Sequence, residues 1–405
     1  MTKPVRLMFV CDFPPSERGG GDTLLWRLLG GYPADSLYLV YARSMRGGVQ
    51  ATKFASVHQT TFADLAGSTQ NGLKGQLLMT LDRCLLLWHS IRLTCLVKRW
   101  DAEVLLTVAH GYFFLAAVAA AKVLKRPIVL MVHDDWPTMQ QHVRGFRRLA
   151  EWLFRWAIRN ASWTYVIGEA MARRVLIATG VKAEVQYPSA PAAAGDQRSQ
   201  SAESTAIHLT FIYAGNIYGN TTYDSLGVLI QQIKRWNNAR PDEPIQLICY
   251  SNYTMELASQ AGWVADNIHF KPWLKPDELQ DHLRMADALV LPIGLKSDSG
   301  HYARTSFPAK LADYVAAGRP VLALAPQDSE VSSYLRKHGC GVVVCGNNSE
   351  EFEEAFRELK RDIEGSGSMG LSAKRVHEIH HDSEKQKETL YNKLWELASG
   401  SAWKR

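Results

Sequence analysis

The sequence predicts an α/β protein made of two doubly wound, parallel-sheet domains. Short runs rich in Val, Ile and Leu alternate with amphipathic stretches of helical length, the pattern of strand–helix–strand units. That alternation breaks once, at PSAPAAAGDQRSQSAESTA (188–206), which has almost no large apolar residue and reads as an exposed linker. The chain's 405 residues also exceed what a single hydrophobic core ordinarily serves. The expected domains are 1–187 and 207–380, with 188–206 between them and 381–405 a terminal helix able to cross back to the first domain.

The elements follow in order. VRLMFVCDF is a buried strand, and PPSERGGGDTLLWRLLG is a glycine loop entering a helix, with Asp22 or Thr23 suited to cap it. SLYLVYA, EVLLTVAH and PIVLMVH are strands, and FFLAAVAAAKVLK is a helix between the last two. A helix over 147–161, the strand WTYVIG and the helix EAMARRVLIATG, closed by Gly180, complete the first domain. The second opens with HLTFIYAGN as a strand and SLGVLIQQIKRWNN as a helix, then the strands IQLICYS and NIHFKPW. A helix over 276–285, the strands ALVLPI, VLALA and GVVVCG, and terminal helices rich in Glu and Lys finish the pattern.

Bulk properties narrow the function. The chain is 46% hydrophobic and 21% charged with net charge +6, ordinary for a soluble globular protein. That mild excess suits anionic small ligands or an anionic membrane surface and lacks the footprint of a nucleic-acid binder. The six cysteines form no CxxC and no zinc spacing, and a reducing compartment is expected. No apolar run suits a signal peptide or a transmembrane span, so a cytoplasmic location is expected.

Open α/β sheets bind ligands at the carboxyl ends of their strands, and two such domains are expected to face each other across a cleft. RTSFPAKLADYVAAGRPVLALA (304–325) stands in such a place, after ALVLPI. Ser306 suits an N-cap, Pro308 a first helical turn, and Gly318-Arg319-Pro320 a helix stop. A helix start with Lys310 one turn in is an anion site. Asp313 can pair with that lysine or accept hydroxyl protons. A capped core helix with a solvated Lys–Asp face is the plainer alternative.

ADALVLPI…SFPAKLADYVAAGRPVLA resembles the donor-binding segment of GT-B fold glycosyltransferases, especially the family-four retaining enzymes. DFPPSERGGG, PIVLMVHDDWP, WTYVIGEAMARRVL, FIYAGN and NIHFKPWLKPDELQDHLRMADALVLP resemble further segments of that fold in the same order. The resemblance implies a transferase moving a sugar from a nucleotide donor, UDP- or GDP-linked, to an acceptor hydroxyl with retention, in polysaccharide or glycoconjugate synthesis. It places Gly19, Gly20, Gly21, Gly215, Asn216, Arg304, Thr305, Ser306, Phe307, Pro308 and Lys310 about the donor sugar and phosphates. Trp273 and Leu274 fall near the base, and Asp313 near the ribose or sugar. His133 and Asp134 fall near the reacting centre. No metal is implied.

Two departures from the family pattern stand out. IYGNTT follows Gly215-Asn216 where an Arg and a Lys are usual, and Thr305 stands where the first of two glutamates is usual, with Asp313 in place of the second. These keep a non-catalytic GT-B-like scaffold open as an alternative, with a sugar-nucleotide epimerase of the same fold a lesser one. The absence of GxGxxG argues against a dehydrogenase. Two basic apolar segments, 76–100 and 144–159, fit peripheral contact with a membrane carrying a lipid-linked acceptor, or ordinary helix packing with arginines at the rim.

Overall fold

The computed structural model describes residues 4–17, 20–42, 54, 56–62, 85–139, 146–192, 208–217, 219–295 and 300–400. Gly19, residues 76–84 and 144–145 of the basic segments, and 193–206 of the expected linker lie outside the described residues. The chain divides into two compact units, Met1–Tyr187 with Glu384–Arg405, and Pro188–Ser383.

The first unit runs β1 (Leu7–Val10), α1 (Gly21–Leu29), β2 (Leu37–Ala42), β3 (His58–Phe62), α2 (Leu86–Trp100), β4 (Val104–Val108), α3 (Phe113–Leu124) and β5 (Ile128–Val132). It continues with α4 (Trp136–Met139), α5 (Phe146–Asn160), β6 (Trp163–Val166), α6 (Glu169–Thr179) and β7 (Glu184–Val185). Among the described residues its sheet is parallel throughout, in the order β3-β2-β1-β4-β5-β6-β7. The chain builds outward from β1 in one direction and then from β4 in the other, so a crevice for ligand is expected outside the ends of β1 and β4. Every residue of β4 and β5 is buried, as strands covered by helices on both faces must be. The apolar helix α3 is fixed at its start by Asp12, whose carboxylate accepts from the Tyr112 and Phe113 N–H groups at 3.2 Å each. Gly111 has φ +53°, and a Cβ there would collide with that carboxylate.

The second unit runs β8 (Leu209–Ala214), α7 (Asp224–Ala239), β9 (Ile245–Tyr250), α8 (Met255–Gln260), β10 (Ile268–Lys271), α9 (Pro276–Met285) and β11 (Ala288–Pro292). Then come α10 (Gly300–Thr305), α11 (Lys310–Ala316), β12 (Val321–Leu324), α12 (Glu330–His338), β13 (Gly341–Val344), α13 (Ser349–Glu364) and α14 (Ser368–Val376). The described part of this sheet is also parallel, in the order β10-β9-β8-β11-β12-β13, with its switch point between β8 and β11. A final helix, α15 (Ser383–Ala398), belongs mostly to the first unit. There the Tyr391 hydroxyl donates to the Leu28 carbonyl at 2.9 Å and the Lys393 ammonium lies 3.8 Å from the Trp163 ring centroid.

The structure corrects the sequence reading at four points. The α1 N-cap is Gly20, at φ +66°, with Asp22 and Thr23 already inside the first turn. Ser306 caps nothing: α11 begins only at Lys310, behind Ala309, because α10 occupies the chain up to Thr305 and 306–309 form the connection. The strands β3 and β7 were not expected; HQTTF is polar and β7 has two residues. Finally, Pro188, Ser189 and Ala190 are buried rather than exposed. The Ala190 N–H donates to the His381 carbonyl at 2.9 Å, and the Ser383 N–H donates to the Ala190 carbonyl at 3.2 Å. The His381 Nδ1–H donates to the Pro188 carbonyl at 2.6 Å, which leaves Nε2 to accept from the Tyr334 hydroxyl at 2.8 Å.

Candidate functional site

In the second unit the loop after β8 and the start of α11 meet at the switch point. The Lys310 ammonium donates to the Tyr213 hydroxyl at 3.2 Å and lies 4.5 Å from the centroid of the same ring. The Tyr213 hydroxyl in turn donates to the Asn216 carbonyl at 2.6 Å. Gly215 permits this approach, since a Cβ there would strike both the Lys310 Nζ and the Tyr213 oxygen. Burial pushes the Lys310 pKa down to about 8. At neutral pH it is therefore mostly a cation, and among the described residues no carboxylate pairs with it.

The neighbours of this cluster are arranged differently from expectation. The Gly215 N–H donates to the Tyr250 carbonyl at 3.0 Å and the Ile217 N–H to Asn252 Oδ1 at 2.9 Å, so neither is left for a phosphate. Arg304, expected as a donor contact, is held by Asp328 at 2.6 Å with both side chains more than half exposed. Phe307 turns into the core, edge-on to Tyr334 and stacked on His381, because the connection 306–309 is pulled inward at that ring. Ser306 is buried beside it, while Thr305 and Pro308 are half-buried. Asp313 Oδ1 accepts from Gln280 Nε2 on α9 at 3.1 Å. Between β10 and α9, Trp273 is 48% exposed and Leu274 half-buried.

In the first unit the ends of β1, β4 and β5 gather a second set. A Cβ on Gly21 would rest 3.7 Å from His133 Nδ1 and 3.7 Å from the Phe13 ring, so the α1 backbone lies directly against the imidazole. Phe13 is edge-on to His110, which follows β4, with centroids 4.9 Å apart. Burial, and then the neighbouring His110, push the His133 pKa down to about 4, so its ring is neutral at pH 7. Its Nε2 is buried and has no hydrogen-bond partner among the described residues. Burial, then the charge of Asp135, raise Asp134 to about 6. Asp135 itself is engaged by Arg174 at 3.3 Å and by the Thr138 hydroxyl at 3.0 Å. Among the described residues no group of three or more His, Cys, Asp or Glu side chains is placed to hold a metal ion.

Chemically, the second unit offers an uncompensated cation at a sheet switch point, and the first offers a neutral imidazole and a carboxyl that titrates near neutrality. The structure thus brings together Lys310, Gly215 and Asn216, and separately Gly21 and His133, with Asp134 next in the chain; among the described residues Gly20 has no neighbour at its Cβ position. Sequence reasoning missed Tyr213, Gln280, Asp12 and Tyr314, whose hydroxyl accepts from the Ala214 N–H at 3.0 Å. Tyr213 and Tyr314 sit on apolar faces of a strand and a helix, where their rings read as core.

A family model described as glycosyl transferases group 1 matches residues 208–362, and one described as glycosyltransferase family 4 matches residues 65–187. One match falls in each unit. No curated protein matches the chain. Among solved structures, Anabaena HepE in complex with UDP superposes with a TM-score of 0.66 at 13% identity, over 96% of this chain and 99% of that one. A glycosyltransferase from Rickettsia africae gives 0.65 at 9% identity, over 97% and 98%. A UDP-N-acetylglucosamine 2-epimerase gives 0.58 at 13%, over 97% of each chain. At such identities the likeness concerns the fold, two Rossmann-like parallel-sheet domains. The two family matches, which together span more than half of the chain, establish that it belongs to the glycosyltransferases of the family-four type, and the likeness adds their GT-B fold.

Proposed function

We propose that the protein transfers a sugar from a nucleotide-sugar donor to an acceptor hydroxyl with retention, the second unit holding the nucleotide and the first the acceptor. The observation that carries this is the uncompensated Lys310 ammonium beside Gly215 at the β8/β11 switch point. As the bond from the anomeric carbon to the diphosphate breaks, the leaving group takes the electron pair and its charge grows. A cation fixed in a partly buried site stabilises that charge more than the bound donor's. The acceptor oxygen attacks from the face the diphosphate leaves, and its proton passes to a departing phosphate oxygen. Asp313, steadied by Gln280, accepts from ribose or sugar hydroxyls, and His133, neutral and with an Nε2 unpartnered among the described residues, meets the sugar. Trp273 and Leu274 flank the base. The solved relative that carries UDP supports a UDP-linked donor, with a GDP-linked one the next choice.

The acceptor we assign is a glycan or lipid-linked saccharide in polysaccharide or glycoconjugate synthesis, met at the cytoplasmic face of a membrane. Leu87, Trp88 and Ile91 on α2 and Leu149 and Trp152 on α5 are exposed, with Arg92, Arg148 and Arg155 on the same two helices. Among the described residues no helix is long and apolar enough to cross a membrane. Co-sedimentation with vesicles containing anionic lipid tests that contact, and Trp88→Ser with Trp152→Ser should abolish it.

One observation favours a second reading. Asp134, a half-buried carboxyl titrating near 6, is acid–base equipment that a sugar-nucleotide epimerase would use, and such an enzyme shares this fold. Incubating the protein with UDP- and GDP-sugars, with and without a saccharide acceptor, separates the readings. Acceptor-dependent release of nucleoside diphosphate supports transfer. An epimerised donor without release supports the second reading, and neither product supports a non-catalytic scaffold.

A further inference from the structure

Among the described residues, Lys310 is held without an acid. A lysine buried at a functional site is usually kept charged by a carboxylate, which also cancels its field toward any incoming anion. Here the ammonium rests on neutral groups: the face of the Tyr213 ring at 4.5 Å and its hydroxyl at 3.2 Å. Tyr213 is fully buried in the core of the second unit, packed with Phe211, Leu226 and Cys249 in one cluster. Its proton is committed to the Asn216 carbonyl at 2.6 Å, so an oxygen lone pair faces Lys310. The acidic and phenolic groups nearest in sequence are occupied: Asp313 accepts from Gln280, and the Tyr314 hydroxyl is bound at Ala214.

We propose that Tyr213 is a positioning residue for the anion site: its π face and hydroxyl hold the Lys310 ammonium against Gly215, in the role a carboxylate would otherwise take, and leave its charge undiminished for a diphosphate. The inference rests on the reading of Lys310 as a phosphate clamp. A ring quadrupole attracts a cation without neutralising it. The hydroxyl adds one acceptor to an ammonium that burial has already brought to a pKa of about 8. Tyr213 therefore sets how much of the lysine is charged just above neutral pH. It also ties the cation to the β8–α7 loop, since the same oxygen bonds Asn216.

The test reads Lys310 directly. The full chain is pulse-acetylated with acetic anhydride at pH values from 6 to 10, and modification of the Lys310 peptide is followed by mass spectrometry in wild type, Tyr213→Phe and Tyr213→Leu. Only the neutral amine reacts, so removing the acceptor should let reactivity appear at lower pH. The expected increase at pH 7.5 is about threefold for Phe and larger for Leu. UDP affinity, titrated on the same proteins, should fall more at pH 8.5 than at 6.5. A Lys310 profile identical in wild type and Tyr213→Phe, at equal melting temperature, would overturn the proposal, as would an equal loss of affinity at both pH values. Wild type that binds no nucleotide would instead refute the phosphate-clamp reading, and the acetylation profiles would still decide the role of Tyr213. Should Tyr213→Phe fail to fold, 3-fluorotyrosine at 213, a weaker acceptor of the same size, gives the same comparison.

Discussion

Replacing Lys310 by Met should make the protein more stable at pH 7 while removing nucleotide binding. Folding carries this ammonium from water to a site where its pKa falls from 10.5 to about 8. At 1.36 kcal/mol per pKa unit that drop corresponds to about 3 kcal/mol at any pH below 8, where the lysine is charged both folded and unfolded. Above pH 8 the folded protein sheds the proton while the unfolded chain keeps it until 10.5. Stability of the wild type therefore rises with pH across that window, and the advantage of Met shrinks, to about 1.4 kcal/mol by pH 9.5. The half-buried stem can relax toward solvent, so the measured gain at pH 7 should lie at about 1–3 kcal/mol. Urea unfolding of both proteins at pH 7 and 9.5 measures it. A Met variant less stable than wild type at pH 7, or with the same difference at both pH values, would refute the claim that an uncompensated ammonium is buried there.

Other outcomes follow from the same geometry. Gly215→Ala should weaken nucleotide affinity at least tenfold, about 1.4 kcal/mol by calorimetry, because its Cβ displaces both Lys310 and the Tyr213 hydroxyl. The histidines His381, held down to about 3, and His133, at about 4, resist protonation when folded but not when unfolded. Stability should therefore fall as pH drops below 6.5, by about 1.4 kcal/mol per pH unit for each group, measured by denaturant midpoints between pH 7 and 4. The variant His381→Leu should lose the bonds to Pro188 and Tyr334, lower stability by about 2 kcal/mol and halve that acid slope. In turnover assays, Asp134→Asn should erase any inflection of kcat/KM near pH 6, whereas an unchanged inflection would remove Asp134 from the reacting centre.

Most of the architecture was legible in the sequence because parallel strands covered on both faces leave uninterrupted apolar runs. β4, β5 and β11 could hardly be read otherwise. The placement of Lys310 after β11 was legible for the same reason. What escaped was anything decided by tertiary partners. Ser306 has the chemistry of a cap, but α10 and the aromatic contact of Phe307 push the helix start three residues on. Pro188–Ala190 look like linker by composition, yet their backbone is paired by the segment at 377–383, nearly two hundred positions away. The Gly215 N–H seemed free for a phosphate until β9 claimed it. Tyr213 gave no polar signal, because a phenol whose ring is core declares its oxygen only through what it touches.

Lys310 as a diphosphate clamp is tested most directly by calorimetric titration of UDP, GDP, ADP, CMP and TDP into wild type and Lys310→Ala. One diphosphate binding at micromolar strength to wild type, and at least tenfold more weakly to the variant, is the predicted result. A folded wild type that binds none of them, or a variant that binds as tightly as wild type, would contradict it.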